Sequence, residues 1–263
     1  MDSVADLTSA VLAGEFGATP DSVHVTSAFW MHHTTRLPGS TTTYRNHYLL
    51  LRVGRSFGAC SFEEGTLDPD FCASASGVDL ATLLGHRSAV VRIAALDAYL
   101  AEVRPMRGAP VFLPAGTPME RAVARDSGIA DLLPDKPGSK VALIGVVNPL
   151  VAAITERGAE CLPCDLNLRE TQWGQKVTSD MHEVLEVADA VVATGMTLSN
   201  GSFDVILRRC RERGIPFIVY AQTGSAVARA FLGKGVTALF AEPFPFSQFS
   251  SQPTIAFQEI FAA

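Results

Sequence analysis

Between Lys140 and Ala241 the apolar positions come in short blocks rather than in residue-by-residue alternation. Val141 to Val147, Glu160 to Asp165, Ala190 to Thr194, Pro216 to Ala221 and Val236 to Ala241 are mainly apolar runs, too short for helices. Runs of this kind read as strands buried on both faces. Segments with helical apolar spacing separate them: Asn148 to Arg157, Asp180 to Val187, Phe203 to Cys210 ahead of Gly214, and Ala226 to Leu232. Asp180 is the expected cap of its helix, with Glu183 three residues on. Strict alternation of strand and helix, without polar alternation in the strands, predicts a five-stranded parallel sheet covered on both faces. Right-handed crossovers make this a Rossmann-like α/β domain. The aromatic, proline-containing tail after Pro243 is expected to wrap back onto it.

The first hundred residues have a different pattern. Val4, Leu7, Val11 and Leu12, ending at Gly14, predict a helix over 2–14. Val23 to Trp30, His47 to Val53 and Arg55 to Phe62 read as strands. The polar Met31 to Arg45 reads as a hairpin loop, and Glu63 to Val78 as an irregular stretch. Val90, Ile93, Leu96, Leu100 and Val103 share one face of a helix over His86 to Val103. Residues 1–104 therefore form a smaller α+β domain. Residues 105–139, crowded with proline and glycine, form a connection that holds the short apolar segment Val111–Leu113 and a short helix near Met119 to Arg125. Residues 140–263 form the Rossmann-like domain.

Composition narrows the range of functions. Hydrophobic residues make up 48% of the chain, enough for a sizeable core. A net charge of −6, with no basic run interleaved with aromatics, argues against a nucleic-acid partner. No apolar stretch reaches the length of a membrane span. Five cysteines, an odd number, are expected as reduced thiols of a cytoplasmic protein with no secretory segment.

In a parallel sheet, ligands gather where strands end at their carboxyl termini. Four loops fall there: Gly145–Pro149, Asp165–Asn167, Thr194–Ser202 and Gln222–Ser225. The candidate ligand-binding residues are Asn148, Asp165, Thr194, Thr197, Ser199, Asn200, Gly201, Thr223 and Ser225. Thr194–Ser202 combines hydroxyls, glycines and an amide between a strand and a helix, which suits a polar or anionic group; an ordinary helix cap is the competing reading. Asp165 lies twenty residues after Gly145, the spacing of a ribose-binding acid. The turn Gly145-Val-Val-Asn-Pro149 lacks the glycines that admit a pyrophosphate, so no NAD is expected. Cys161-Leu-Pro-Cys164 has redox spacing but falls inside a predicted buried strand, and no second cysteine pair completes a zinc site. His33, Glu63 and Glu64 are candidates for acid–base catalysis and for ligating a divalent transition metal. The competing reading is exposed loop histidines and solvated acids. His32 and His33 point to opposite faces if they lie on a strand, so only one serves a given site.

The block Thr194-Gly-Met-Thr-Leu-Ser-Asn-Gly-Ser-Phe203 resembles the Thr-Gly-x-Thr-x-x-Asn-Gly-Thr block of the putative heavy-metal chelation family. The Gly145-Val-Val-Asn-Pro-Leu150 turn and the ending Gly233–Ala241 are similar to it in kind, and His86 to Asp97 resembles the helix that closes its first domain. The resemblance implies an enolase-N-terminal-like α+β domain joined to a Rossmann-like domain, with a site in the cleft between them. Ala221-Gln-Thr-Gly-Ser-Ala226 departs from the family's Gly-Pro-Ser-x-Pro loop, Asp97 stands where Asn is common, and the histidine- and threonine-rich Met31–Arg45 has no counterpart. The expectation is a small-molecule or metal-binding protein, an enzyme by preference. In it Thr197, Ser199, Asn200 and Gly201 hold the ligand, and His33, Glu63 and Glu64 supply metal ligation or acid–base chemistry. Alternatives are a metal-independent biosynthetic enzyme acting on an amino-acid-like substrate, or a non-catalytic metal carrier. Association into a homo-oligomer is left open.

Overall fold

A computed structural model describes residues 1–36, 43–68 and 70–261. The tip of the expected Met31–Arg45 loop, residues 37–42, lies outside the described residues. The chain divides into two compact units. The first comprises residues 1–107, 195–204 and 221–231, and the second residues 108–194, 205–220 and 232–263.

The first unit opens with α1 (Val4–Leu12), capped by the Ser3 hydroxyl and burying Leu7 and Val11. Strands β1 (Ser27–Thr35), β2 (Tyr44–Val53) and β3 (Ser56–Phe62) form an antiparallel sheet in that order. The polar Met31–Thr35, expected in a loop, is the second half of β1. There His32 sits opposite His47 and Thr35 opposite Tyr44. β-branched and aromatic residues suit a half-exposed pleated surface despite their polarity. Two short helices, α2 (Phe71–Ala75) and α3 (Leu80–Leu84), follow, the first inside the stretch expected to be irregular. Helix α4 (Ala89–Val103) buries nearly every side chain from Val90 to Leu100. It lies against β3 at Gly58, where an added Cβ would come within 2.0 Å of the Ala98 backbone nitrogen. Only glycine permits that approach.

The second unit is a seven-stranded sheet. In chain order it contains β4 (Ala109–Leu113), α5 (Pro118–Ala130), β5 (Lys140–Ile144), α6 (Asn148–Glu156), β6 (Glu160–Cys164), α7 (Met181–Val187) and β7 (Ala190–Thr194). The four-residue α8 (Met196–Ser199), grouped with the first unit, precedes α9 (Phe203–Arg213) and β8 (Phe217–Ala221). Then come α10 (Ser225–Arg229), also in the first unit, β9 (Ala238–Ala241) and β10 (Thr254–Ile260). The strand order is β4-β10-β9-β8-β7-β5-β6. Pairs β5–β6, β5–β7 and β7–β8 are parallel, while β10 runs antiparallel to both β4 and β9.

All five predicted strands are present, and two more extend the sheet. β4 comes from the segment read as a connection, and β10 from the tail expected only to wrap. Their alternation explains the pairing: Val111, Leu113 and Ala256 face the core built by Val141, Leu143, Val192, Ile218 and Phe240, while Phe112 and Ile255, directly opposite each other, stay exposed. Helix α5 runs past the expected end at Arg125 to Ala130, and a full capping box holds its start. Thr117 and Glu120 bond reciprocally and Pro118 occupies the first turn. From α5 the buried Arg121 donates to the carbonyls of Pro114, Ser247 (3.3 Å) and Gln252 (2.6 Å) and to the Thr254 hydroxyl (2.7 Å), pinning the chain that leads into β10. Among the described residues, no helix is long and apolar enough to cross a membrane.

Candidate functional site

Three groups of residues are candidates on sequence grounds, the third being His33, Glu63 and Glu64. The first, in the first unit, is the segment 195–202 with Thr223 and Ser225. Gly195 nests against the Thr223 carbonyl, which an added Cβ would meet at 2.3 Å. Thr197 is buried, and the Ser199 hydroxyl donates to the Met196 carbonyl at 2.9 Å and hydrogen-bonds Cys60. The exposed Asn200 accepts through Oδ1 from the Ser202 N–H (3.0 Å) and the Ser202 hydroxyl (2.6 Å). This is a side-chain turn that leads into α9. Thr223 and Ser225 are both buried.

Asp97 ties this group together. From α4 its Oδ2 accepts from Ala59 N (2.8 Å), and its Oδ1 accepts from Ala226 N (2.8 Å) and Val227 N (3.4 Å). The Gly224 N–H bonds the Ala59 carbonyl at 2.9 Å, closing the same corner. Burial raises the Asp97 carboxyl to about 6, against the pull of those backbone donors. Asp97, Ser199 and Asn200 are thus committed to the backbone and to neighbouring side chains, which is the chemistry of a brace.

The second group lies at the carboxyl ends of the strands in the second unit. Asp165, at the end of β6, accepts from Val146 N with one oxygen (2.8 Å) and from Asn167 N and Leu168 N with the other (2.8 and 3.0 Å). Both oxygens thus brace loops, a role distinct from binding a ribose. Buried Asn148 accepts from Gln172 N at 3.1 Å and holds the loop after β6. Around Thr194 the situation differs. Gly145 has φ +89°, and an added Cβ would lie 2.4 Å from Thr194 Cγ2, so β5 and β7 end in close contact. The Tyr220 hydroxyl, on β8, donates to the Gly145 carbonyl at 2.6 Å and hydrogen-bonds the Thr194 side chain.

Tyr220 interacts electrostatically with titratable groups that sequence reasoning did not single out. Arg125 and Asp126, consecutive on α5, are joined by an Nε–Oδ1 contact of 2.7 Å. Glu242, just beyond β9, is buried, and its Oε1 accepts from Ser247 N. Asp126 is wholly buried, and its Oδ2 has no hydrogen-bond partner among the described residues. Burial pushes the Asp126 carboxyl up; Arg125 opposes this and the Glu242 charge adds to it. Burial also works against the Arg125 charge, but Asp126 and Glu242 hold the guanidinium ionised. Tyr220 is raised by burial and then by Asp126. A buried polar atom without a partner costs about 1–3 kcal/mol. Such atoms concentrate where function requires them.

Residues 128–240 match the family model described as "Putative heavy-metal chelation". A protein of unknown function from the same family in Desulfitobacterium hafniense shares 15% identity with the chain at a TM-score of 0.60, over 90% of this chain and 85% of its own. Another member of unknown function, from Pyrococcus horikoshii, shares 15% identity at a TM-score of 0.60, over 98% of this chain and 99% of its own. These likenesses extend the shared fold over nearly the whole chain. No curated protein matches it.

The family description raises the question of a metal, and the side chains present bear on it. Among the described residues, no group of three or more His, Cys, Asp or Glu side chains is arranged to hold one. His33 sits opposite Asn46 on β1, while its neighbour His32 stacks on His47 across the strand pair, ring centroids 4.4 Å apart. Burial, and then His32, lower the His33 pKa. Glu63 and Glu64 are exposed in the turn after β3. The three residues proposed as ligands are therefore not gathered into one group. All five cysteines are free thiols, and burial raises those of Cys161 and Cys164 to about 12 and about 11. Thiols bind metals as thiolates, so the donor set among the described residues does not fit a metal centre.

Proposed function

We propose that the chain binds a small polar molecule at the carboxyl edge of its seven-stranded sheet, with Arg125, Asp126, Thr194 and Tyr220 as the residues that meet it. The observation that carries this reading is Asp126 Oδ2, a buried carboxylate oxygen without a donor beside a guanidinium and a tyrosine hydroxyl. The topology supports it, because strand ends of a parallel sheet are where loops diverge and leave room for a ligand. Asn148 and Asp165 hold the surrounding loops and act as positioning residues.

A thermal-shift screen of polar metabolites against the wild type, Asp126→Asn and Tyr220→Phe tests this. Compounds that raise the wild-type melting temperature are expected to act much more weakly on Asp126→Asn and somewhat more weakly on Tyr220→Phe. Equal shifts in all three proteins would place the ligand elsewhere.

A further inference from the structure

The donors in this cluster are mostly directed inward. The Tyr220 hydroxyl is given to the Gly145 carbonyl, the Thr194 hydroxyl bonds Tyr220, and Arg125 Nε is given to Asp126 Oδ1. What remains is one acceptor, Asp126 Oδ2, and the two Nη nitrogens of Arg125, which make no hydrogen bond among the described residues. The Arg125 side chain keeps 19% of its surface exposed and Asp126 none, so the guanidinium is the outer group and the carboxylate the inner one.

Each simple ligand class leaves part of this arrangement unmet. An anion alone would satisfy the Nη nitrogens but would face Asp126 and Glu242 and leave Oδ2 without a donor. A cation alone would satisfy Oδ2 and leave the planar donor pair unused. A guanidinium matches a carboxylate through two parallel hydrogen bonds, and a carboxylate oxygen matches an ammonium. Resting on the reading above, we propose that the ligand is a zwitterion of the α-amino-acid type, its ammonium on Asp126 Oδ2 and its carboxylate on the Arg125 Nη nitrogens. The adjacent placement of donor and acceptor suits a molecule whose two charges are separated by a single carbon.

Isothermal titration with the twenty L-amino acids, their methyl esters, their N-acetyl derivatives and the corresponding decarboxylated amines tests this class directly. At least one free amino acid is expected to bind, with both blocked forms at least about tenfold weaker, as in sites that leave a polar group unpaired. Asp126→Asn should largely abolish the preference over the N-acetyl form but keep that over the ester, and Arg125→Gln should do the reverse. If either variant fails to fold by circular dichroism, Arg125→Lys gives the same crossover for the ester. Binding of amines or of simple carboxylates alone, lost in Asp126→Asn, would overturn the zwitterion while leaving the edge site standing. Amino-acid binding indifferent to every substitution would overturn both. No binding by any member of the panel would overturn the zwitterion.

Discussion

Arg125 Nε lies 2.7 Å from Asp126 Oδ1, although consecutive residues on a helix point about 100° apart. The pair leaves one buried oxygen without a donor and the two Nη nitrogens of the partly exposed guanidinium without an acceptor among the described residues. An arrangement made only for stability would close both.

Asp126→Asn should separate stability from binding. The variant keeps an acceptor for Arg125 Nε and replaces a buried carboxyl that lacks a full set of donors, so its unfolding free energy should stay within about 1 kcal/mol of the wild type. Its affinity for ligand should fall at least about tenfold. Urea denaturation alongside the thermal-shift screen checks both. A variant that is strongly destabilised, and whose lost response tracks that destabilisation, would make the pair a fold element.

Asp97 gives the protein an unusual pH dependence. Its carboxyl is raised from 3.8 to about 6 by burial, so the folded state keeps the proton after the unfolded state has released it. Stability from this group is therefore greatest below about pH 4 and is lost as pH rises to about 6, a loss of about 3 kcal/mol. Asp97→Asn removes the titration but places an amide among backbone N–H donors, so it should be the less stable protein. The gap between wild type and variant in urea should narrow as pH rises from about 4 to about 8. A constant gap would contradict the assignment.

The five strands from Val141 to Ala241 were legible because burial on both faces leaves unbroken apolar runs. β4 and β10 were not: one face of each is exposed, and their partners are distant in sequence, Leu113 with Thr254. The candidate site was hidden for a related reason. Arg121, Arg125, Gly128 and Ile129 follow helical spacing on α5, but the charges make that stripe read as a solvated face. The capping box Thr117–Glu120 was the available signal that a full helix starts there. At Asn200 the sequence shows an amide in a turn, but only the fold shows its oxygen already committed to Ser202.

Asn200 therefore serves as a control. Asn200→Asp keeps the acceptor for Ser202 and should melt close to the wild type with ligand response unchanged. Asn200→Ala removes the acceptor for Ser202 and should cost about 0.5–1.5 kcal/mol, the usual net value of a hydrogen bond. Loss of binding in Asn200→Asp without loss of stability would bring the 195–202 segment into the ligand site.

The thiols should be unreactive in the folded protein. Burial raises Cys60, Cys161, Cys164 and Cys210, while Cys72 is only partly buried. Iodoacetamide labelling followed by peptide mass spectrometry should find Cys72 first and the others only after unfolding. Rapid labelling of Cys161 or Cys164 would reopen a redox or metal role for that pair.

The most direct test is a crystal structure with the compound that most stabilises the wild type. The expected result is a donor atom of that compound about 2.7–3.2 Å from Asp126 Oδ2, with Arg125 reoriented onto it or against it. Density for the compound elsewhere, with Asp126 Oδ2 meeting only water or a protein donor, would contradict the proposed site.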